Sequence, residues 1–163
     1  MSNLQTLPPR CEGGNCPTQY GAICWRMHRG KVEVLLITSR DTGRWVIPKG
    51  WPMDGRTPAE AAAREAWEEA GVEGRIAKGG LGLFDYDKML GPNHAISCRV
   101  EVFALRVARL VDAFPERKLR RRKWFAAEKA ARKVNEPALR ALLAHLPANL
   151  GDAVEPASAL PSA

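Results

Sequence analysis

GWPMDGRTPAEAAAREAWEEAGV, residues Gly50 to Val72, decides how the rest of the chain is read. An irregular Gly/Pro loop runs directly into a segment that carries the signals of a helix start. Thr57 is a natural N-cap, Pro58 suits the first helical position, and Glu60 stands three residues after the cap, as a capping box requires. At about 100° per residue, Glu65, Glu68 and Glu69 fall within roughly a 100° arc. Ala62, Ala63, Ala66 and Ala70 occupy the neighbouring arc and can pack closely on a sheet. Gly71 supplies a left-handed stop. The pattern predicts a helix that buries alanines and presents three carboxylates side by side.

Like charges at that separation repel and raise one another's pKa unless a cation neutralises them. An oxygen-only set of this kind suits a hard divalent cation, Mg²⁺ above all, with Mn²⁺ as the alternative. The plain reading is a solvated acidic face. Two details weigh against it. The positions four residues after the glutamates are Glu69, Val72 and Glu73, so no Lys or Arg stands there to pair with them. The loop Gly50-Trp51-Pro52-Met53-Asp54-Gly55 is also elaborate for a simple connector.

The segment resembles the Nudix box, Gx5Ex7REUxEExGU with U a bulky apolar residue. Gly50 matches the first glycine, Arg64-Glu65 the RE pair, Glu68-Glu69 the EE pair and Gly71-Val72 the closing GU. Two positions depart from the pattern: Arg56 replaces the first glutamate, and Ala66 takes the bulky position. The first weakens the bracing of loop against helix; the second is a packing change. The carboxylates of the core motif all remain.

The resemblance implies an α/β fold, the Nudix α/β/α sandwich with a mixed β-sheet between helices, over about residues 18–146. It also implies metal ligation by Glu65 and Glu69, with Glu68 either a ligand or the general base. The main-chain carbonyl of Lys49 completes the metal shell, and Arg64 pairs with a glutamate of the helix to hold the carboxylates. Glu116 is a further candidate base outside the box. Nudix enzymes hydrolyse a pyrophosphate bond in a nucleoside diphosphate linked to another group, or in a related polyphosphate. Divalent ions offset the phosphate charge and lower the pKa of a bound water, and a carboxylate can take its proton.

The runs TSRDTGRWVIPKG and RKWFAAEKA are similar to the diphosphoinositol polyphosphate and diadenosine polyphosphate branch of that family. They place Arg40 to Trp45 before the box and Arg120 to Phe125 after the last strands. A ligand with many phosphates needs many cations, and guanidinium forks match phosphate oxygens. Arg40 and Lys49 flank the box entrance and are the better phosphate candidates, with Lys88, His94 and Arg120 after them. The plain reading of Arg117 to Lys123 is a solvated charge run or an incidental RNA contact. Trp124 and Phe125 read as core residues of the last strand before stacking platforms. His28 and His145 read as incidental.

Composition sets the remaining bounds. The chain has 163 residues, 45% hydrophobic and 26% charged, ordinary for one globular domain with tails. No apolar run approaches the roughly 20 residues that would span a bilayer, and the start MSNLQTLPPR lacks a secretory h-region. A cytoplasmic protein with no membrane partner is expected. The formal charge of +7 points to an anionic partner, a phosphorylated small molecule before nucleic acid, and nothing indicates a protein partner. Cys11 and Cys16 could hold zinc but read better as free thiols; Cys24 and Cys98 read as small core residues.

In chain order, residues 1–17 form a flexible arm. Tyr20 to Arg26 and Val32 to Thr38 form a hairpin across His28-Arg29-Gly30, and Trp45 to Ile47 a short strand. Gly74 to Ala77 and Leu81 to Tyr86 pair with each other, and Asp87 to Ala95 is a mobile loop. Ser97 to Val107 is a strand, and Ala126 to Val134 and Glu136 to Leu146 are helices, the second capped by Asn135. Residues 147–163 form a disordered end. The leading function is a Mg²⁺-dependent pyrophosphohydrolase of a highly phosphorylated small molecule. A nucleoside triphosphate or RNA 5′-end pyrophosphohydrolase follows, then an inactive nucleotide-binding module, which Arg56 favours.

Overall fold

A computed structural model describes residues 16–151. Residues 1–15 of the expected arm and 152–163 of the expected tail lie outside it.

The first two strands, β1 (Thr18–His28) and β2 (Lys31–Thr38), pair antiparallel through a tight turn in which His28 faces Lys31. Arg29 and Gly30 both adopt left-handed φ, 52° and 77°, as a turn matched to strand twist requires. Short pieces follow, β3 (Trp45–Val46) on β2 and β4 (Lys49–Gly50) on β1. The helix α1 (Pro58–Ala70) then leads into β5 (Val72–Ile76). The rest of the sheet is β6 (Gly82–Gly91), β7 (His94–Leu110) and β8 (Arg122–Ala126). Three short helices close the described chain: α2 (Ala127–Lys133), α3 (Pro137–Ala144) and α4 (Leu146–Leu150).

The sheet is mixed: β1 and β7 run parallel at its centre, and the other pairings are antiparallel. Its main path is β3-β2-β1-β7-β5, with β8 against β2 and β6 against β7. Strand alternation divides the core in two. Ala22, Cys24, Leu35, Ile37, Phe103 and Leu105 meet Ala59, Ala62, Ala66 and Ala70 of α1. Ile23, Trp25, Val34, Leu36 and Val102 meet Ala130, Val134, Leu139, Leu143 and Leu146 on the other side. Helices thus cover both faces, and the expected sandwich is present.

Several expectations need correction. The strands β5 and β6 do not pair with each other; each pairs with β7, which at 17 residues is long enough to serve both. The loop expected at Asp87 to Ala95 is the tip of the β6–β7 hairpin, with Lys88 opposite Ile96 and Gly91 opposite His94. Main-chain pairing overrides the polar composition that suggested a loop. Leu146–Leu150, placed mostly in the disordered end, is helical, and Leu146 is fully buried. The N-cap of α3 is Glu136 rather than Asn135, and its side chain makes no capping bond. Instead, Arg44 Nη2 reaches Glu136 Oε2 at 3.0 Å. Cys16 is disulfide-bonded, not a free thiol, while Cys24 and Cys98 are buried free cysteines; Cys11 lies outside the described residues.

Candidate active site

The site is built on α1, and the sequence fixes both ends of that helix. Thr57 Oγ1 accepts from the Glu60 amide at 3.1 Å, and Glu60 Oε1 accepts from the Thr57 amide at 2.8 Å. At the other end Gly71 adopts φ 67°, and its N–H donates to the Trp67 carbonyl at 3.0 Å. Arg122 Nη1 donates to the Ala70 carbonyl at 2.7 Å, so a cation covers the negative end of the helix. The Glu116 amide donates to the Glu68 carbonyl at 3.0 Å. That bond ties the loop after β7 to the helix and brings a carboxylate from outside α1 to the site.

The glutamates then separate by role. Glu69 is buried, 7% exposed, and Glu65 is half-buried, its carboxyl near enough to that of Glu69 for the two to influence each other. Glu68 accepts from Arg64 Nε at 3.2 Å, while the Arg64 guanidinium lies 4.4 Å from the centre of the Trp67 ring. Gly50 lies against Glu65 so closely that a Cβ there would collide with the carboxylate. Burial pushes the Glu69 carboxyl up from 4.5 to about 8; Arg120 and Lys49 oppose the shift, and Glu65 and Glu116 add to it. Glu65 is raised as well, by burial first and then by Glu68 and Glu116. Lys49 is lowered from 10.5 to about 8, chiefly by burial.

A cavity of about 400 Å³ opens over this pair. Glu65, Glu69 and Glu116 line it, and Arg40, Lys49, Lys88 and Arg120 bring cations to the same walls. Of the residues singled out in the sequence, two stand apart from it among the described residues. Glu68 is turned to Arg64, and His94 is exposed at the start of β7. Five lining residues were not among the site candidates read from the sequence: Gln19, Tyr86, and Trp51, Pro52 and Met53 of the loop after Gly50. Tyr86 Oη donates to Gln19 Oε1 at 2.6 Å, and Lys49 Nζ lies 4.6 Å from the centre of the Tyr86 ring. Trp51, in the loop next to Gly50, carried a signal; Gln19 and Tyr86 carried none, because strand pairing alone brings them together.

Comparison with known proteins decides the family. The family model for the NUDIX domain matches residues 17–146. The chain belongs to the Nudix family. Among curated relatives, this Nudix chain is similar to Nudix hydrolase 12, mitochondrial, of Arabidopsis thaliana, 38% identical over 61% of this chain and 51% of that protein. It is also similar to human diphosphoinositol polyphosphate phosphohydrolase 3-alpha, 34% identical over 66% of this chain and 63% of that one. The chain therefore spans between half and two thirds of the length of these relatives. Among solved structures, a C. elegans Ap4A hydrolase shares the fold with a TM-score of 0.60 at 22% identity, covering 83% of this chain and 99% of that one. No helix among the described residues is long and apolar enough to cross a membrane.

A divalent cation can be tested against the donors in place. Among the described residues, no three His, Cys, Asp or Glu side chains are gathered as a metal-holding group as they stand. The Glu65–Glu69 pair nevertheless has the chemistry a hard cation needs: oxygen donors, one of them buried, both raised in pKa by burial first and by the neighbouring carboxyls after it. Gly50, having no side chain, lets the Glu65 carboxylate lie against the main chain there. These residues fit a divalent cation.

Proposed function

We propose that this Nudix domain is a Mg²⁺-dependent pyrophosphohydrolase cleaving a phosphoanhydride bond in a highly phosphorylated small molecule of the diadenosine or diphosphoinositol polyphosphate kind. Mn²⁺ is an alternative ion. The observation that carries the reading is the cavity itself, lined by one buried and one half-buried carboxyl together with cations from three separate parts of the chain: Arg40, Lys49 and Lys88. A phosphate chain needs both halves of that arrangement. Its charge is matched by the cations, and its reacting phosphorus is brought to the carboxylates.

Glu65 and Glu69 would hold the metal, with the main chain at Lys49 beside them. When bound, the ion would offset phosphate charge and acidify a water. Arg40, which is exposed, and Lys88 line the cavity and would orient the chain of phosphates. Glu116 lines the same cavity and can accept a proton from the attacking water; Arg120 Nε, 2.9 Å from Glu116 Oε1, holds it there. Trp51, 41% exposed at the wall, offers a face on which a base can stack, which favours a nucleotide-bearing substrate.

The test is phosphate release with Mg²⁺ from diadenosine polyphosphates, diphosphoinositol polyphosphates and nucleoside triphosphates in parallel. Turnover confined to nucleoside triphosphates would reject the substrate class. Arg40→Ala and Lys88→Ala should each raise KM by about tenfold, the loss of one charge-assisted contact. A second reading, a module that binds a nucleotide without cleaving it, is favoured by Arg120 standing among the carboxylates. Binding of the same compounds with no release under Mg²⁺ or Mn²⁺ would establish it.

A further inference from the structure

Arg120 belongs to a run of basic residues, yet its surroundings are those of an internal cation. Its side chain is 11% exposed. Nε donates to Glu116 Oε1 at 2.9 Å, Nη1 donates to the Thr38 carbonyl at 3.2 Å, and Nη2 lies 3.6 Å from Glu69 Oε1. All three guanidinium nitrogens are therefore committed, from a loop, a strand end and α1. An arginine keeps its charge at every working pH, so this one offers Glu69 a positive partner whenever that carboxyl ionises, without any metal present. The contact to Glu69 is the longest of the three, and the other two hold the guanidinium without it.

We propose that Arg120 is a built-in counter-ion of the carboxylate pair, competing with the divalent cation for Glu69 and so setting how tightly the metal is held. The inference rests on the metal-dependent reading above. Two positive charges cannot share one carboxylate a few ångströms apart without repulsion. Metal loading must draw Glu69 away from Nη2, leaving Arg120 on Glu116 and Thr38. Two consequences follow from this exchange. The metal-free protein keeps a folded site despite crowded carboxylates, and the metal is bound more weakly than the carboxylates alone would bind it.

Two measurements decide it. Calorimetric titration with Mg²⁺ and Mn²⁺ should show Arg120→Met binding metal about tenfold more tightly than the wild type, with Arg120→Lys between them, because the repelling charge is gone. In the wild type, the Arg120 Nε–H signal in ¹⁵N NMR, identified by its absence from Arg120→Lys, should shift on adding Mg²⁺. Unchanged or weaker metal binding in Arg120→Met, or a signal unmoved by saturating Mg²⁺, would overturn the proposal. If Arg120→Met does not fold, the NMR titration decides alone. A wild type that binds neither metal would instead bring down the metal-dependent reading on which the proposal stands.

Discussion

At the scale of single residues, Glu69 is the side chain whose surroundings are hardest to explain without a cation. It is buried on the alanine-lined face of α1, next to a second carboxyl. Replacing it by glutamine, or replacing Glu65 likewise, should cut turnover by at least about a hundredfold with the circular dichroism spectrum unchanged. The raised pKa has a second consequence, measurable without substrate. Below 4.5 the Glu69 carboxyl is neutral folded or unfolded. Between 4.5 and about 8 the unfolded chain gives up the proton while the folded one retains it, so stability falls as pH rises through that window. Lys49 acts in the opposite sense: its lowered value removes stability as pH falls from 10.5 towards about 8. Metal-free protein should therefore melt at its lowest temperature near pH 8, and Mg²⁺ should raise that temperature most there. Melting curves in chelator across this range check it, with Glu69→Gln expected to flatten the acidic limb. Arg56, which departs from the box pattern, is exposed, and its amide donates to the Met53 carbonyl as any residue there could.

At the scale of elements, α1 is held from both ends, and each end has a different consequence. Thr57→Ala removes the capping box and should cost about 1 kcal/mol of stability, read from denaturant midpoints, with little change in KM. Gly50→Ala should do the reverse. A methyl group at Gly50 meets the Glu65 carboxylate, so turnover and metal affinity should fall sharply while the sheet stays intact. A Gly50→Ala protein with wild-type metal affinity would show that Glu65 is not a ligand. The helix and its cap were legible in the sequence because they depend on neighbours three and four residues apart. The β6–β7 hairpin was not, since its tip is polar and its pairing extends to Gly82 opposite Val102.

At the scale of the molecule, the net charge of +7 is distributed unevenly, and the basic run after β7 shows how. Arg120 turns inward to Glu116, Arg122 covers the end of α1, and Lys123 Nζ lies 5.4 Å from the Phe125 ring centre. Arg117, Lys118 and Arg121 remain exposed. A field of this sign should steer polyanions to the cavity, so kcat/KM for a long phosphate chain should fall several-fold between about 20 and about 300 mM salt. Substrates with fewer phosphates should respond less in the same assay series.

What the sequence determined by itself is the helix of glutamates, its start and stop, and the demand for a cation beside it. All of these are local: they follow from helical spacing, a cap and like-charge repulsion. Tertiary structure alone decided which cation stands there in the metal-free protein. Arg120 comes to Glu69 because the loop after β7 is tied to the end of α1 by the Glu116 amide, and because β8 lies against β2 beside Thr38. A run of seven residues rich in Arg and Lys looks uniform in one dimension. A turn and a strand point its members in different directions, and only the fold says which charge is buried.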